Sequence, residues 1–220
     1  FKFQLLSLII MDKLATQHLI INLDKRTDRL EQVRKEFSKL GIHNINRLPA
    51  TPHKVGLIGC GESHKRCLQT ASENEWDWVL ICEDDVIFTH PELLKEKLDK
   101  YLKRDFDVLL LGANVIRGRL MNVMGEDDIV RVEKSECFHA YIVRCHYYHK
   151  LIANFSEGLR LKNQDPKNMS YNIDVYNQKL QKYDKWFCLN PSLANQAVGY
   201  SDNFNTIHNQ QNRINSHELF

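Results

Sequence analysis

An apolar run broken by three consecutive acids constrains this chain more than any other stretch: Trp78-Val79-Leu80-Ile81-Cys82-Glu83-Asp84-Asp85-Val86-Ile87-Phe88. A strand buried on both faces cannot carry three adjacent carboxylates through a core, because each uncompensated charge there costs several kcal/mol. The acids must lie at a strand end, and the apolar residues before them must be the strand. Clustered carboxylates at such an end suit a hard divalent cation and, through it, a phosphorylated ligand. They would also suit an exposed strand end that caps the next segment, and the residues alone leave both readings open. If the segment stays extended, Glu83 and Asp85 face one way and Asp84 the other.

The rest of the chain supplies layers around that strand. His18-Leu19-Ile20-Ile21-Asn22-Leu23 reads as a buried first strand. Asp28 is placed to cap a helix, with Glu31 completing a capping box. Leu30, Val33, Phe37 and Leu40 follow at helical spacing, and Gly41 closes the helix. Pro49 and Pro52 mark residues 46–58 as a loop, and a helix is expected over 61–75. Pro91 opens another helix, with Leu94, Leu98, Tyr101 and Leu102 on one face, and residues 107–112 form a further strand. The second half is more mixed. Strands are expected at 128–133, 140–143 and 186–189, helices at 146–156 and 171–183, and a polar loop at 163–170. Strands alternating with helices imply an α/β sandwich on a mixed, mainly parallel sheet.

A length of 220 residues suits one domain, here 17–200, with residues 1–16 as an extension or a segment added in cloning and 201–220 as a polar, flexible tail. Met11 is one candidate for the natural start, and residues 1–10 read equally as upstream sequence or as the end of a clipped anchor. The formal net charge of +2 speaks against nucleic-acid binding by bulk charge. Residues 1–10 are apolar but too few to span a bilayer, which leaves peripheral membrane association open. None of the six cysteines forms a C-x-x-C pair, so reduced, mostly buried thiols are expected. With no secretory signal the default compartment is cytoplasmic, and the secretory lumen stays open.

Two other segments carry chemistry. Asn22-Leu23-Asp24-Lys25-Arg26-Thr27-Asp28-Arg29 leaves a buried strand for a helix N-terminus. Ligands of open α/β sheets bind beyond such strand ends, and helix N-terminal amides and guanidinium groups both suit phosphate. Ile58-Gly59-Cys60-Gly61-Glu62-Ser63-His64-Lys65 offers two glycines at the expected helix start, where backbone could approach a ligand closely. A solvated charged loop and a packed helix are the plainer readings of these two stretches.

Taken together, INLDKRTDR at 21–29, IGCGESHKRCLQ at 58–69, VLICEDDVIF at 79–88, DVLLLGAN at 107–114, AYIVR at 140–144, NIDVY at 172–176 and PSLANQAVGYSD at 191–202 resemble glycosyltransferase family 25, which includes lipopolysaccharide and collagen galactosyltransferases. The seven elements stand in the family's order over nearly all of the chain after residue 17. The resemblance implies a GT-A type fold, a UDP-galactose or UDP-glucose donor, manganese (Mn2+), and a glycan or hydroxylated-peptide acceptor. It carries Asn22, Leu23, Arg26 and Arg29 to the nucleotide end of the site, and Ser63, His64 and Asp84 to the donor. It implies Glu83 and Asp85 as metal ligands, with His208 completing the shell, and Asp174 as general base or acceptor ligand. Gln196, Ser201 and Tyr141 fall near the pocket.

Two departures stand out. Only residues 46–57 join the first helix unit to the IGC segment, where the family has a longer stretch, and Gly61-Glu62 replaces small apolar residues after the cysteine. Other function classes consistent with the residues are an inactive sugar-nucleotide-binding or scaffolding protein and a metal-dependent phosphoesterase.

Overall fold

The computed structural model describes residues 12–123, 126–202 and 206–209, with the side chains of 122–128 and 208 outside the description. Residues 1–11, including Met11, lie outside the described residues. The elements run β1 (His18–Asn22), α1 (Thr27–Lys39), β2 (Arg47–Pro49), α2 (Gly56–Glu73), β3 (Trp78–Glu83), β4 (Val86–Phe88), α3 (Pro91–Tyr101), β5 (Val108–Leu110), β6 (Asn114–Val123), β7 (Glu126–Glu136), β8 (Ala140–Arg144) and α4 (Tyr148–Gln164). Then come α5 (Ile173–Tyr176), α6 (Gln178–Gln181), β9 (Trp186–Leu189), β10 (Ala194–Gln196), β11 (Gly199–Ser201) and β12 (Thr206–His208).

Eight strands form one mixed sheet in the order β2-β1-β3-β8-β5-β9-β7-β6. Six run one way, while β8 and β7 run against them. This is the mixed, mainly parallel α/β sandwich expected from the strand–helix alternation, and it agrees with the GT-A type fold that the resemblance implies. Every residue of β1, β5 and the first five of β3 is buried, which is why these strands read as unbroken apolar runs. Their side chains still alternate between faces. Ile20, Leu80, Cys82, Leu109 and Ile142 join Phe37, Leu94 and Leu98 in the core under α1 and α3. Leu19, Ile21, Val79, Ile81, Val108 and Tyr141 join Leu68, Phe155 and Trp186 in the core under α2 and α4.

Several boundaries differ from expectation. α1 begins at Thr27, with Arg26 at the capping position and no side-chain cap. Asp28 is already the second residue of the helix rather than its cap, and its two oxygens accept from the Arg26 guanidinium at 3.0 and 2.9 Å. It sits in the first turn, where a negative charge favours the helix dipole. The loop expected at 46–58 contains β2 and the first turn of α2, so the two glycines lie inside a helix rather than at its start. They serve close packing. A Cβ on Gly59 would lie 2.4 Å from the Thr51 carbonyl oxygen, and one on Gly61 would lie 2.8 Å from Leu159 Cδ2.

The helix expected at 171–183 breaks into a 3-10 turn, α5 and α6, pinned where Asn154 Nδ2 donates to Asn177 Oδ1 at 2.7 Å. The strand expected at 128–133 is the middle of β7, which pairs with the unexpected β6 in a long edge hairpin. Of the tail, Thr206–His208 pairs with Gly199–Ser201, whereas residues 203–205 and 210–220 lie outside the described residues. All six cysteines are free thiols, as expected. No helix among the described residues is long and apolar enough to cross a membrane.

Candidate functional site

The carboxyl ends of β1 and β3 open into a cavity of about 920 Å³, walled further by residues 50–53, the first turns of α2, residues 136–139, α5 and the β10–β11 connection. Its floor is the acidic triple. β3 ends at Glu83, and Asp84–Asp85 form the turn into β4. Because the chain turns there, strand alternation stops at Glu83, and all three acids line the cavity. The expected division into one face with Glu83 and Asp85 and another with Asp84 does not apply.

Each acid has different partners. Glu83 Oε1 lies 3.1 Å from His64 Nε2 and receives the Cys60 thiol at 3.7 Å. Asp84 accepts from Asn22 Nδ2 at 2.7 Å and Arg29 Nη1 at 3.0 Å. Asp85 faces Arg29 Nη1 at 3.3 Å and Gln196 Nε2 at 3.4 Å, both long bonds. Arg29 is thus one cation shared between two carboxylates. Its Nη2 also donates to the Tyr200 carbonyl at 2.6 Å.

Burial and the neighbouring Glu83 charge, opposed by Arg29, push the Asp85 carboxyl up to about 7. Burial also raises Asp84, against the pull of Arg29 and Asn22. Burial works against charge on Glu83 too, yet the His64 hydrogen bond and nearby positive charge hold its carboxyl below the ordinary range. Burial, then the Glu83 charge, pushes the Cys60 thiol well up.

The sequence-derived residues divide into those that face the cavity and those that hold it together. Leu23, Arg29, Ser63, Glu83, Asp84, Asp85 and Asp174 line it, as do Gln196 and Ser201. Asn22 is buried and acts as a bracket: its amide donates to Asp84 and to the Arg26 carbonyl, and its Oδ1 accepts from Arg47 Nε at 2.9 Å. Arg26 turns to Asp28 and to Asp202, at 2.6 Å from the latter. The Ser63 hydroxyl donates to the Gly59 carbonyl and accepts from Thr51 N, fixing the 50–53 wall on α2. His64 is fully buried behind Glu83, with Nδ1 2.8 Å from the Tyr141 hydroxyl. Tyr141 belongs to the core and stacks on Phe138 at 3.6 Å. β12 carries His208, whose side chain lies outside the described residues.

Asp174 stands in the first turn of α5, on another wall of the cavity. Its carboxylate accepts from Val175 N at 2.9 Å and Cys137 N at 3.4 Å, and burial raises its pKa despite these bonds. Two residues escaped the sequence reading. Asp202 pairs with Lys25 and Arg26, both at 2.6 Å, and so ties the end of β11 to the start of α1. Cys60 stands beside His64 and Glu83. Its signal was the four-residue spacing from His64, which puts both on one helix face.

A family model described as glycosyltransferase family 25 (LPS biosynthesis protein) matches residues 46–201. A Haemophilus influenzae protein described as "Putative glycosyltransferase" is 29% identical over 134 aligned residues, covering 51% of this chain and 47% of the relative. The chain therefore spans about half the length of that curated relative. Among solved structures, A197 from STIV aligns with a TM-score of 0.49 at 12% identity, covering 92% of this chain and 95% of that one. A Bacillus anthracis structure described as a "Putative Glucose-1-Phosphate Thymidylyltransferase" aligns with a TM-score of 0.44 at 12% identity, covering 85% of this chain and 72% of that one.

Proposed function

The chain belongs to glycosyltransferase family 25, and from that premise we infer that it transfers a hexose, galactose or glucose, from a UDP-sugar to a hydroxyl group. The acceptor is a glycan or a hydroxylysine-like side chain, and the anomeric carbon is inverted. The observation that carries this reading is the placing of three carboxylates and one shared arginine on the floor of a cavity whose other wall holds the half-buried Asp174. A cavity of about 920 Å³ has room for a sugar nucleotide.

The donor set suits manganese. Hard oxygen ligands match a hard divalent ion, and Asp85 has only long bonds to give up. Asp85 and Glu83 would hold the ion, which supplies charge neutralisation on the departing diphosphate.

The remaining work falls to the chain's own groups. Arg29, braced by Asp84 and the Tyr200 carbonyl, presents a guanidinium to phosphate oxygens. The acceptor hydroxyl oxygen attacks the anomeric carbon from the face opposite the diphosphate. The bond from that carbon to the phosphate oxygen breaks, and the hydroxyl proton passes to Asp174. A carboxylate whose pKa is raised by burial is a better base than one in water.

Titration of UDP with and without manganese tests the reading. Binding should tighten at least tenfold with the metal, and Asp85→Asn should remove the difference. Equal affinity in both conditions would sink the metal-bridged model, and absence of sugar transfer or UDP-sugar hydrolysis would sink the enzyme itself.

A further inference from the structure

We propose that Cys60, His64 and Glu83 form a second cation site in the cavity wall, selective for a borderline-soft ion of the zinc type rather than for manganese. Cys60 and His64 lie one helical turn apart on α2 and point the same way, and Glu83 meets them from the end of β3. Their ligand atoms Sγ, Nε2 and a carboxylate oxygen all fall within 4.8 Å of one another. The edge from Glu83 Oε1 to His64 Nε2 is 3.1 Å, and the edge to Cys60 Sγ is 3.7 Å. A tetrahedral zinc ion with ordinary bond lengths sets its ligand atoms roughly 3.3–3.7 Å apart, so the two edges from Glu83 already stand close to ligand spacing.

The chemistry of the set selects the ion. Thiolate and imidazole favour zinc, whereas manganese prefers carboxylate, carbonyl and water. Three protein ligands leave a fourth position, and since Cys60 and Glu83 both line the cavity, that position opens into it. The support behind the ligands is also present. With Nε2 on the ion, His64 Nδ1 carries the proton and donates it to the Tyr141 oxygen at 2.8 Å, which fixes the buried ring. The Cys60 thiol proton leaves to solvent as the ion binds. Glu83 is common to this site and to the acid pair with Asp85, so zinc and manganese compete for one carboxylate. The site itself stands on geometry and does not depend on sugar transfer.

Cobalt(II) is the probe for the metal-free chain of 220 residues. One equivalent should give four-coordinate d–d bands and a near-ultraviolet thiolate-to-cobalt band, both bleached by one equivalent of zinc and not by tenfold more manganese. Cys60→Ser should lose the near-ultraviolet band while Cys137→Ser keeps it, and His64→Gln should weaken cobalt binding by at least tenfold. Zinc should also raise the thermal midpoint of the wild type and not that of Cys60→Ser, with circular dichroism reporting that the variant is folded. A cobalt complex without the thiolate band, a band that survives Cys60→Ser, or equal displacement by manganese overturns the proposal. Paramagnetic resonance of bound manganese, lost in Asp85→Asn and kept in Cys60→Ser, reports separately on the acid pair, so one site can fail without the other.

Discussion

Lowering the pH from 7.5 to 5 should cost this fold about 2 kcal/mol through one side chain, His18. The residue opens β1 and is wholly buried. Its Nδ1 lies 2.8 Å from the Leu14 carbonyl, and its Nε2 receives the backbone N–H of Asn46 at 2.9 Å. One neutral tautomer, protonated at Nδ1, satisfies both bonds. A second proton would set a ring N–H against the Asn46 N–H, in a ring packed 5.1 Å from Phe37. Burial, offset only in part by the Leu14 carbonyl, lowers the pKa from 6.5 to about 4. The folded state therefore takes up this proton less readily than the unfolded chain. Its stability is fully present above pH 6.5 and falls as the pH drops toward 4, where the loss levels off at about 3 kcal/mol.

Denaturant unfolding of the wild type and His18→Gln at both pH values isolates the effect, since glutamine keeps one donor and one acceptor but does not titrate. The carboxylates contribute equally to both proteins. The variant should be less stable at pH 7.5 yet lose about 2 kcal/mol less on acidification. Equal losses in the two proteins would refute the reasoning.

Other substitutions probe the site. Arg29→Ala leaves buried Asp84 and half-buried Asp85 without their shared cation, so the thermal midpoint should fall and UDP affinity should drop roughly tenfold. Arg29→Lys should recover only part of either, because it lacks the planar fork. Gly61→Ala puts a methyl 2.8 Å from Leu159 Cδ2 and 2.9 Å from Ile173 Cγ2. The expected cost is about 1–3 kcal/mol in urea unfolding, with kcat falling as well because Ile173 carries Asp174. Asp174→Asn should lower kcat by roughly a hundredfold or more with donor KM nearly unchanged. Its stability at pH 7 should hold or rise, since burial opposes charge there; a large fall in stability would mark Asp174 as a structural residue instead.

How much of this was legible in the sequence depends on how local the physics is. β1, β3 and β5 were readable because strands buried on both faces must be apolar throughout. β6, the partner of β7 in the edge hairpin, was not, because the run from Asn114 to Val123 mixes Arg117, Gly118, Arg119 and Asn122 with its apolar residues and shows no clean alternation. Its register also shifts three times along the pairing, which blurs any period-two signal further. The start of α1 was misjudged for a different reason. Asp28 is a good capping residue in isolation, but the helix already begins at Thr27, with Arg26 at the cap and its guanidinium on the Asp28 carboxylate.

The acidic triple shows the same limit at the site. That three acids must leave the core was certain from sequence, and the structure puts them on the floor of the cavity. Which way each one turns was decided by partners 19 to 111 residues distant: His64 for Glu83, Asn22 and Arg29 for Asp84, Gln196 for Asp85. Alternation along an extended strand would pair Glu83 with Asp85. The turn at Asp84–Asp85 ends that alternation and lets β3 hand Glu83 to α2 while α1 takes Asp84 and Asp85 through Arg29. Glu83 thereby enters a thiol–imidazole environment and Asp85 a guanidinium–amide one. Two acids of nearly equal chemistry, two residues apart, thus acquire opposite pKa shifts from the groups they face.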